Sequence, residues 1–143
     1  MLIRNTTHWE HLPHGADITI CGFGRSKAEA FEQAAIALTA IVTKPDAVAA
    51  LEAVEIACTA SDDELLLVEW LNALIYEMAT RKMLFSKFEV HIGGRNLSAK
   101  AWGEPIDIDR HELGTEVKGA TCTNLKVTQE QSHQWQAQCV IDV

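Results

Sequence analysis

Two stretches of the chain repeat their apolar residues at helical spacing. The first, from about 26 to 42, opens with Ser26-Lys27-Ala28-Glu29, a capping box in which the serine and glutamate side chains satisfy free backbone N–H groups. Pro45 sets its end, because the residue before a proline is disfavoured in the helical region. The second stretch, from about 62 to 80, opens with the same form at Ser61-Asp62-Asp63-Glu64. The pattern predicts two amphipathic helices.

Elsewhere the apolar positions alternate, which is typical of half-buried strands. Gly93-Gly94-Arg95-Asn96 has the chemistry of a hairpin turn. The predicted strands cover 18–23, 54–58, 88–92, 97–102, 117–127 and 135–141. With two helices among them, this order predicts an α+β fold, a two-layer sandwich of two helices packed on one mixed, mostly antiparallel sheet. The widest irregular stretch, Gly103 to Gly114, reads as one loop.

Length and charge narrow the classes of function. The chain has 143 residues and an ordinary apolar fraction of 48%, so residues 1–143 are expected to form a single domain. Twelve basic against twenty acidic residues give a net charge of -8. That charge repels a phosphate backbone and argues against strong direct nucleic-acid binding, but it suits a basic protein partner. No window approaches the roughly 20 apolar residues that span a bilayer, so no membrane partner is expected.

The four cysteines, Cys21, Cys58, Cys122 and Cys139, lie too far apart in sequence for a zinc knuckle built from local pairs. The first residues lack the apolar stretch of a secretion signal. We therefore expect a cytoplasmic protein with free thiols.

Three histidines, His8, His11 and His14, recur every three residues and could suggest a metal site. On a strand, however, His8 and His14 would lie about 20 Å apart on one face and His11 on the other. Ordinary surface or strand-end histidines are the favoured interpretation.

Acidic residues flank two of the predicted strands. Asp17 opens the strand at 18–23, and Asp142 follows the last strand directly. Each could simply cap a turn or face solvent. If those two strands pair, Asp17, Asp142 and the terminal carboxylate of Val143 would come together. Such a cluster would require a hard cation such as Ca²⁺ or Mg²⁺.

No catalytic motif is apparent in the sequence: there is no Gly-rich phosphate loop, no GxSxG and no HExxH.

Lys118 lies on the polar side of its predicted strand, where a lone lysine is usually a solvated charge.

Taken in order and spacing, several short motifs resemble the archease family over essentially the whole chain. They are Trp9-Glu10-His11, His14-x-Ala16-Asp17-Ile18, Ala30-Phe31-Glu32, Gly103-Glu104-Pro105, Arg110-His111, Glu116-Val117-Lys118 and Asp142-Val143. The resemblance implies an acidic protein that assists an RtcB-type RNA ligase, promoting ligase guanylylation and multiple turnover in tRNA splicing and RNA repair. Archeases are not themselves ligases, so the resemblance implies a protein that is not an enzyme.

Carried over position by position, the resemblance implies a divalent cation, Ca²⁺ in family members, at Asp17, Asp142 and Val143. It singles out Lys118 as required for activation, and His14 and His111 lie in motifs expected at the activation site.

The sequence departs from the family pattern in two places. The family's His-Thr-Ala-Asp-Ile-Gly is here His14 to Thr19, with Gly15 for Thr and Thr19 for Gly. Its Val-Thr-Tyr-His is Ala120-Thr121-Cys122-Thr123.

Two other classes of function stay open: a metal-dependent hydrolase, for which no general base is evident, and a general chaperone or protein-binding module with a structural cation.

Overall fold

The computed structural model describes residues 6–143. In this part of the chain two helices, α1 (Lys27–Val42) and α2 (Asp63–Arg81), are interleaved with eight strands. A short 3₁₀ turn, Pro45–Ala47, follows α1. The strands are β1 (His8–His14), β2 (Asp17–Gly24), β3 (Glu52–Thr59), β4 (Met83–Gly93), β5 (Asn96–Pro105), β6 (Gly119–Ala120), β7 (Lys126–Gln129) and β8 (Trp135–Asp142).

The strands form two antiparallel sheets. In sheet A the order is β1-β2-β8, and β6 and β7 follow one another along the far edge of β8. In sheet B, β5 lies between β3 and β4. The α+β class with two helices packed on sheet is confirmed, but the single mixed sheet is corrected. Parallel neighbours need a crossover within one sheet, but α1 carries the chain from sheet A to sheet B. Helix α2 does cross over within sheet B, where β5 then lies between β3 and β4 and pairs antiparallel with both.

Helix α1 lies unusually close to sheet A. It begins as predicted, with the Ser26 hydroxyl accepting a hydrogen bond from the Glu29 N–H at 3.1 Å. Beneath it β2 presents Gly22, where a Cβ atom would lie 2.2 Å from the carbonyl oxygen of Ala30. The helix ends at Val42, before Pro45, as predicted.

Helix α2 begins one residue later than the capping pattern indicates. The Asp62 carboxylate, not the Ser61 hydroxyl, accepts the hydrogen bond from the Leu65 N–H, at 2.8 Å. Asp62 has the extended backbone of an N-cap residue, with φ -149°. The buried face centres on Trp70, which is fully buried and donates its indole N–H to the Phe31 carbonyl at 3.0 Å.

The four cysteines form no disulfide, as predicted. Cys21 and Cys139 are buried, Cys58 is half-buried and Cys122 is exposed. Burial raises the pKa of the Cys139 thiol to about 12, so this side chain remains protonated and acts as a small apolar group.

The predicted strand at 117–127 is wrong in one respect, because it is interrupted. Strand β6 ends at Ala120 and β7 starts at Lys126. Between them Asn124 adopts a left-handed backbone with φ 49°, which a continuous strand cannot include.

Across residues 6–143, none of the helices combines the length and apolar character needed to cross a membrane.

Candidate functional site

Asp17 and Asp142 lie at the same end of sheet A. Strands β2 and β8 pair antiparallel with Ile18 opposite Ile141, so the residue before Ile18 and the residue after Ile141 are neighbours. The Val143 N–H points to the Asp17 carboxylate across 3.5 Å. The pairing of these two strands, on which the sequence argument depended, is confirmed. We call Asp17, Asp142 and Val143 the acidic end.

Lys118 lies directly beside the acidic end. Its backbone N–H donates to the Asp142 carbonyl at 2.8 Å, and the next residue, Gly119, pairs with Asp142 in β6. The Asn72 side chain of α2 fixes the following residue by accepting from the Ala120 N–H at 2.9 Å. The Lys118 side chain is exposed, and its backbone position places it beside Asp142, although no ion pair joins its ammonium group to Asp17 or Asp142 in the described part of the chain.

His14 also borders the acidic end. It is the residue opposite Asp17 in the β1–β2 hairpin, and the turn between them contains Gly15 with φ 59°. Such a left-handed backbone favours glycine, which fits the glycine found here in place of the threonine of the family pattern. His14 is half-buried.

His111, by contrast, is a buried residue with both ring nitrogens engaged. The Asp107 N–H donates to Nδ1 at 2.9 Å, so Nε2 carries the proton and donates to the Glu104 carboxylate at 3.0 Å. In the described part of the chain no hydrogen bond or ion pair joins His111 to Asp17 or Asp142. The sequence grouped His111 with the activation residues, and the structure does not bring its imidazole to the acidic end.

Glu104 lies at the centre of a second group of residues, in which it is hydrogen-bonded to Arg110, His111 and the backbone of Ala49. Its carboxylate is almost fully buried and accepts hydrogen bonds from the Arg110 guanidinium, the Ala49 N–H and His111. These donors, Arg110 foremost, lower the pKa of Glu104 to about 2. Sequence reasoning did not single out Glu104 as functional, although Gly103-Glu104-Pro105 and Arg110-His111 both carried the resemblance.

The hydrogen bonds around Glu104 fix the segment of the chain that leads to Lys118. We call residues 106–118 the connecting loop. Besides the Glu104 contacts, its Gly114 and Thr115 N–H groups donate to the Val42 and Ile41 carbonyls at the end of α1, at 2.6 and 3.1 Å. The loop is therefore fixed along its length before it reaches the acidic end.

The three N-terminal histidines do not converge. His8 stacks on Phe23 with ring centroids 4.5 Å apart, whereas His11 donates from Nε2 to the Ala37 carbonyl at 2.7 Å. Over residues 6–143 no group of three or more His, Cys, Asp or Glu side chains is arranged to hold a metal.

The acidic end offers oxygen donors alone. Two aspartate carboxylates and the backbone oxygens of Val143 suit a hard cation, and water would have to supply the remaining ligands of such an ion. Among the described residues, no cysteine or histidine joins these oxygen donors in a group that could hold a metal such as zinc. The donor chemistry therefore fits Ca²⁺ or Mg²⁺ better than a thiophilic metal.

Fold and site together define a small acidic α+β domain whose candidate functional groups gather at one end of a sheet. Comparison with known proteins identifies the family to which this domain belongs. Residues 9–143 match the archease protein family. The chain is 38% identical to the archease of Pyrococcus abyssi over 94% of this chain and 98% of that protein. It is 31% identical to the archease-like protein of Drosophila melanogaster, covering 94% and 90% of the two chains. The protein belongs to the archease family.

Solved structures agree with the fold. The solution structure of protein 1598 of Methanobacterium thermoautotrophicum superposes with a TM-score of 0.83 at 31% identity, over 94% of this chain and 98% of that one. The crystal structure of a Thermotoga maritima protein, described as an archease and possible chaperone, gives a TM-score of 0.60 at 19% identity, over 100% and 99%. At that identity the second likeness concerns the fold alone.

Proposed function

We propose that this protein is a non-enzymatic activator of an RtcB-type RNA ligase. It promotes guanylylation of the ligase and its multiple turnover in tRNA splicing and RNA repair, in the cytoplasm. Family membership supports the proposal. The observation that carries it is the pairing of β8 with both β2 and β6, which gathers Asp17, Asp142 and Val143 and brings the Lys118 backbone beside Asp142.

A divalent cation at the acidic end is part of the proposal, with Ca²⁺ the ion that the family resemblance implies. Asp17, Asp142 and Val143 would hold it through oxygen. Two neighbouring carboxylates repel each other, and a bound cation supplies the positive charge that offsets this repulsion.

The residues of this chain then have distinct roles toward the ligase. The acidic end and Lys118 meet the mouth of its nucleotide site and favour the arrangement that accepts guanylate. His14, next to Asp17, belongs to the same contact. Because His111 is buried, its role is to hold the connecting loop rather than to touch the partner. The net charge of -8 favours encounter with a basic, RNA-binding protein.

The test is formation of the covalent ligase–guanylate adduct by a purified RtcB-type ligase at limiting GTP. Asp17→Asn, Asp142→Asn and Lys118→Ala should each reduce the stimulation by about tenfold or more, a loss typical of disturbed metal sites and their surroundings. All three side chains lie at the surface end of the sheet, so the variants should remain folded. Full stimulation by folded Asp17→Asn and Asp142→Asn would overturn the proposal.

Glu64→Gln is the matched control, since it also removes one negative charge. Glu64 is exposed at the start of α2, which the Lys27–Asp63 ion pair at 2.9 Å fixes beside the start of α1. That is the far end of β2 from Asp17, a distance of about 25 Å for a strand of this length. The control should stimulate like the wild type.

A further inference from the structure

An apolar groove opens between the C-terminal ends of α1 and α2. Its floor is formed by Met78, Met83 and Leu84, all buried, and its volume is about 200 Å³. Val117 of the connecting loop and Ala79 of α2 stand on its walls. Glu116 is the one charged residue that lines it within the described chain.

The size of the groove limits what it can hold. Pockets for small organic ligands usually measure about 300 to 1,000 Å³. A benzene ring fits an apolar cavity of about 150 Å³. The groove therefore has room for a single leucine, methionine or phenylalanine side chain. A protein partner can anchor itself by inserting one such side chain into a pocket.

The groove is continuous with the acidic end. Glu116 and Val117, which line it, directly precede Lys118, whose backbone is hydrogen-bonded to Asp142.

The walls of the groove are fixed in advance. The Ile106 N–H donates to the Lys82 carbonyl at 2.9 Å, and the Gly114 N–H donates to the Val42 carbonyl at 2.6 Å. These bonds hold the connecting loop against both helix ends. A partner side chain would thus enter without the cost of ordering the loop.

We propose that this groove is the anchor pocket for the ligase: it receives one apolar side chain from a basic segment of the partner. This inference rests on the proposed function. Glu116 on the groove, together with the net charge of -8, favours a segment in which a lysine or arginine flanks the apolar residue and meets Glu116. The groove supplies affinity, and the acidic end with Lys118 supplies activation.

Ala79→Trp tests this by filling the groove from an exposed helical position. Thr80→Trp is the matched control. It adds the same side chain at the next residue of α2, which is also exposed and does not line the groove. With a purified RtcB-type ligase, Ala79→Trp should raise the concentration giving half-maximal stimulation by about tenfold or more, as expected for an anchor position. Its maximal stimulation should stay close to that of the wild type, whereas Lys118→Ala should lower the maximum.

Thermal unfolding verifies that both tryptophan variants are folded. Equal half-maximal concentrations for Ala79→Trp and Thr80→Trp overturn the anchor pocket while leaving the activator function standing. A wild-type chain that does not stimulate the ligase overturns both proposals. Sedimentation adds a third outcome: a wild-type dimer that Ala79→Trp alone dissociates would assign the groove to a second copy of the chain, against the proposal.

Discussion

Glu104 shows how one buried carboxylate can fix a loop. Its three partners come from two places: Arg110 and His111 lie in the connecting loop, and the Ala49 backbone lies near the start of β3. Because every donor favours the ionised form, the pKa of Glu104 falls from 4.5 to about 2. The residue is thus charged in the folded protein over almost the whole acidic range.

The Glu104 network should make stability depend on pH in a defined direction. A carboxylate whose pKa is lowered on folding stabilises the protein above the unfolded pKa, and this stabilisation is lost as the pH falls through the folded pKa. Glu104→Gln should therefore melt at a lower temperature than the wild type at pH 7. The difference should shrink as the pH falls from 4.5 toward about 2.

Glu112→Gln is the control for this measurement. Glu112 lies in the same loop, but its ion pair with Lys44 is exposed, with both side chains more than 70% accessible. Such pairs contribute little to stability. Its melting temperature should follow the wild type at each pH, and a Glu104→Gln variant that behaved likewise would contradict the role given to Glu104.

The sequence placed Asp17 and Asp142 together only on the condition that their two strands pair, and the family resemblance supplied the support for this. The register of β2 and β8 meets that condition. It could not place His111. The position of that imidazole depends on Glu104, and the two meet only through the turn that the loop takes at Asp107. No periodicity encodes such a loop conformation.

Helix α1 serves both sheets. Its face toward sheet A sits on the glycines of β2, and its side chains also close the free edge of β4 in sheet B. The Glu32 carboxylate accepts from the Val90 N–H, and the Thr39 hydroxyl donates to the Phe85 carbonyl, both at 2.8 Å. These contacts use backbone groups that would otherwise leave an open strand edge.

Close packing of α1 on β2 should make Gly22 intolerant of any side chain. In Gly22→Ala the new Cβ would meet the Ala30 carbonyl oxygen at 2.2 Å and the Ala34 backbone nitrogen at 2.4 Å, so the helix must move. We expect a loss of about 3 kcal/mol or more in the free energy of unfolding, at the upper end of overpacking costs. Denaturant titration measures it.

Gly93→Ala provides the comparison, because a Cβ there meets nothing within 4 Å. Its unfolding free energy should change by no more than about 0.5 kcal/mol. Equal effects at Gly22 and Gly93 would show that α1 and β2 are not in the close contact described.

The helices could be predicted because their signals are local: a cap, a 3.6-residue repeat and a proline stop. Strand β1 gives no comparable signal. It is an edge strand that contains Pro13 and three histidines, and its burial does not alternate. The break between β6 and β7 was hidden for a related reason, since the apolar alternation runs through Asn124 although its backbone does not.

Across the whole molecule, both candidate surfaces occupy one end. The acidic end closes sheet A, and the connecting loop joins it to the groove at the C-terminal ends of α1 and α2. The opposite end carries the two helix starts and the Lys27–Asp63 ion pair. Partner contacts are therefore expected from one direction only.

If the acidic end holds a cation, the ion should stabilise the fold by ordinary linkage. A ligand at a hundredfold excess over its Kd adds about 2.7 kcal/mol to the free energy of unfolding. The wild type should thus melt several degrees higher in Ca²⁺ than in chelator. Deleting Asp142 and Val143 should abolish this difference, and Asp46→Asn, at an exposed residue outside the acidic end, should keep it. Identical wild-type melting temperatures in both solutions would argue against a cation site.

Repeated turnover of the ligase is the most direct readout of the proposed function. With RNA ends and GTP in excess, we would count the joins made per molecule of a purified RtcB-type ligase. The ligase alone should stall after its initial turnover and should continue when the wild-type chain is added. The Asp17→Asn/Asp142→Asn double variant should leave it stalled, and Glu64→Gln should not. The same number of joins with and without the wild-type chain would contradict the activator function.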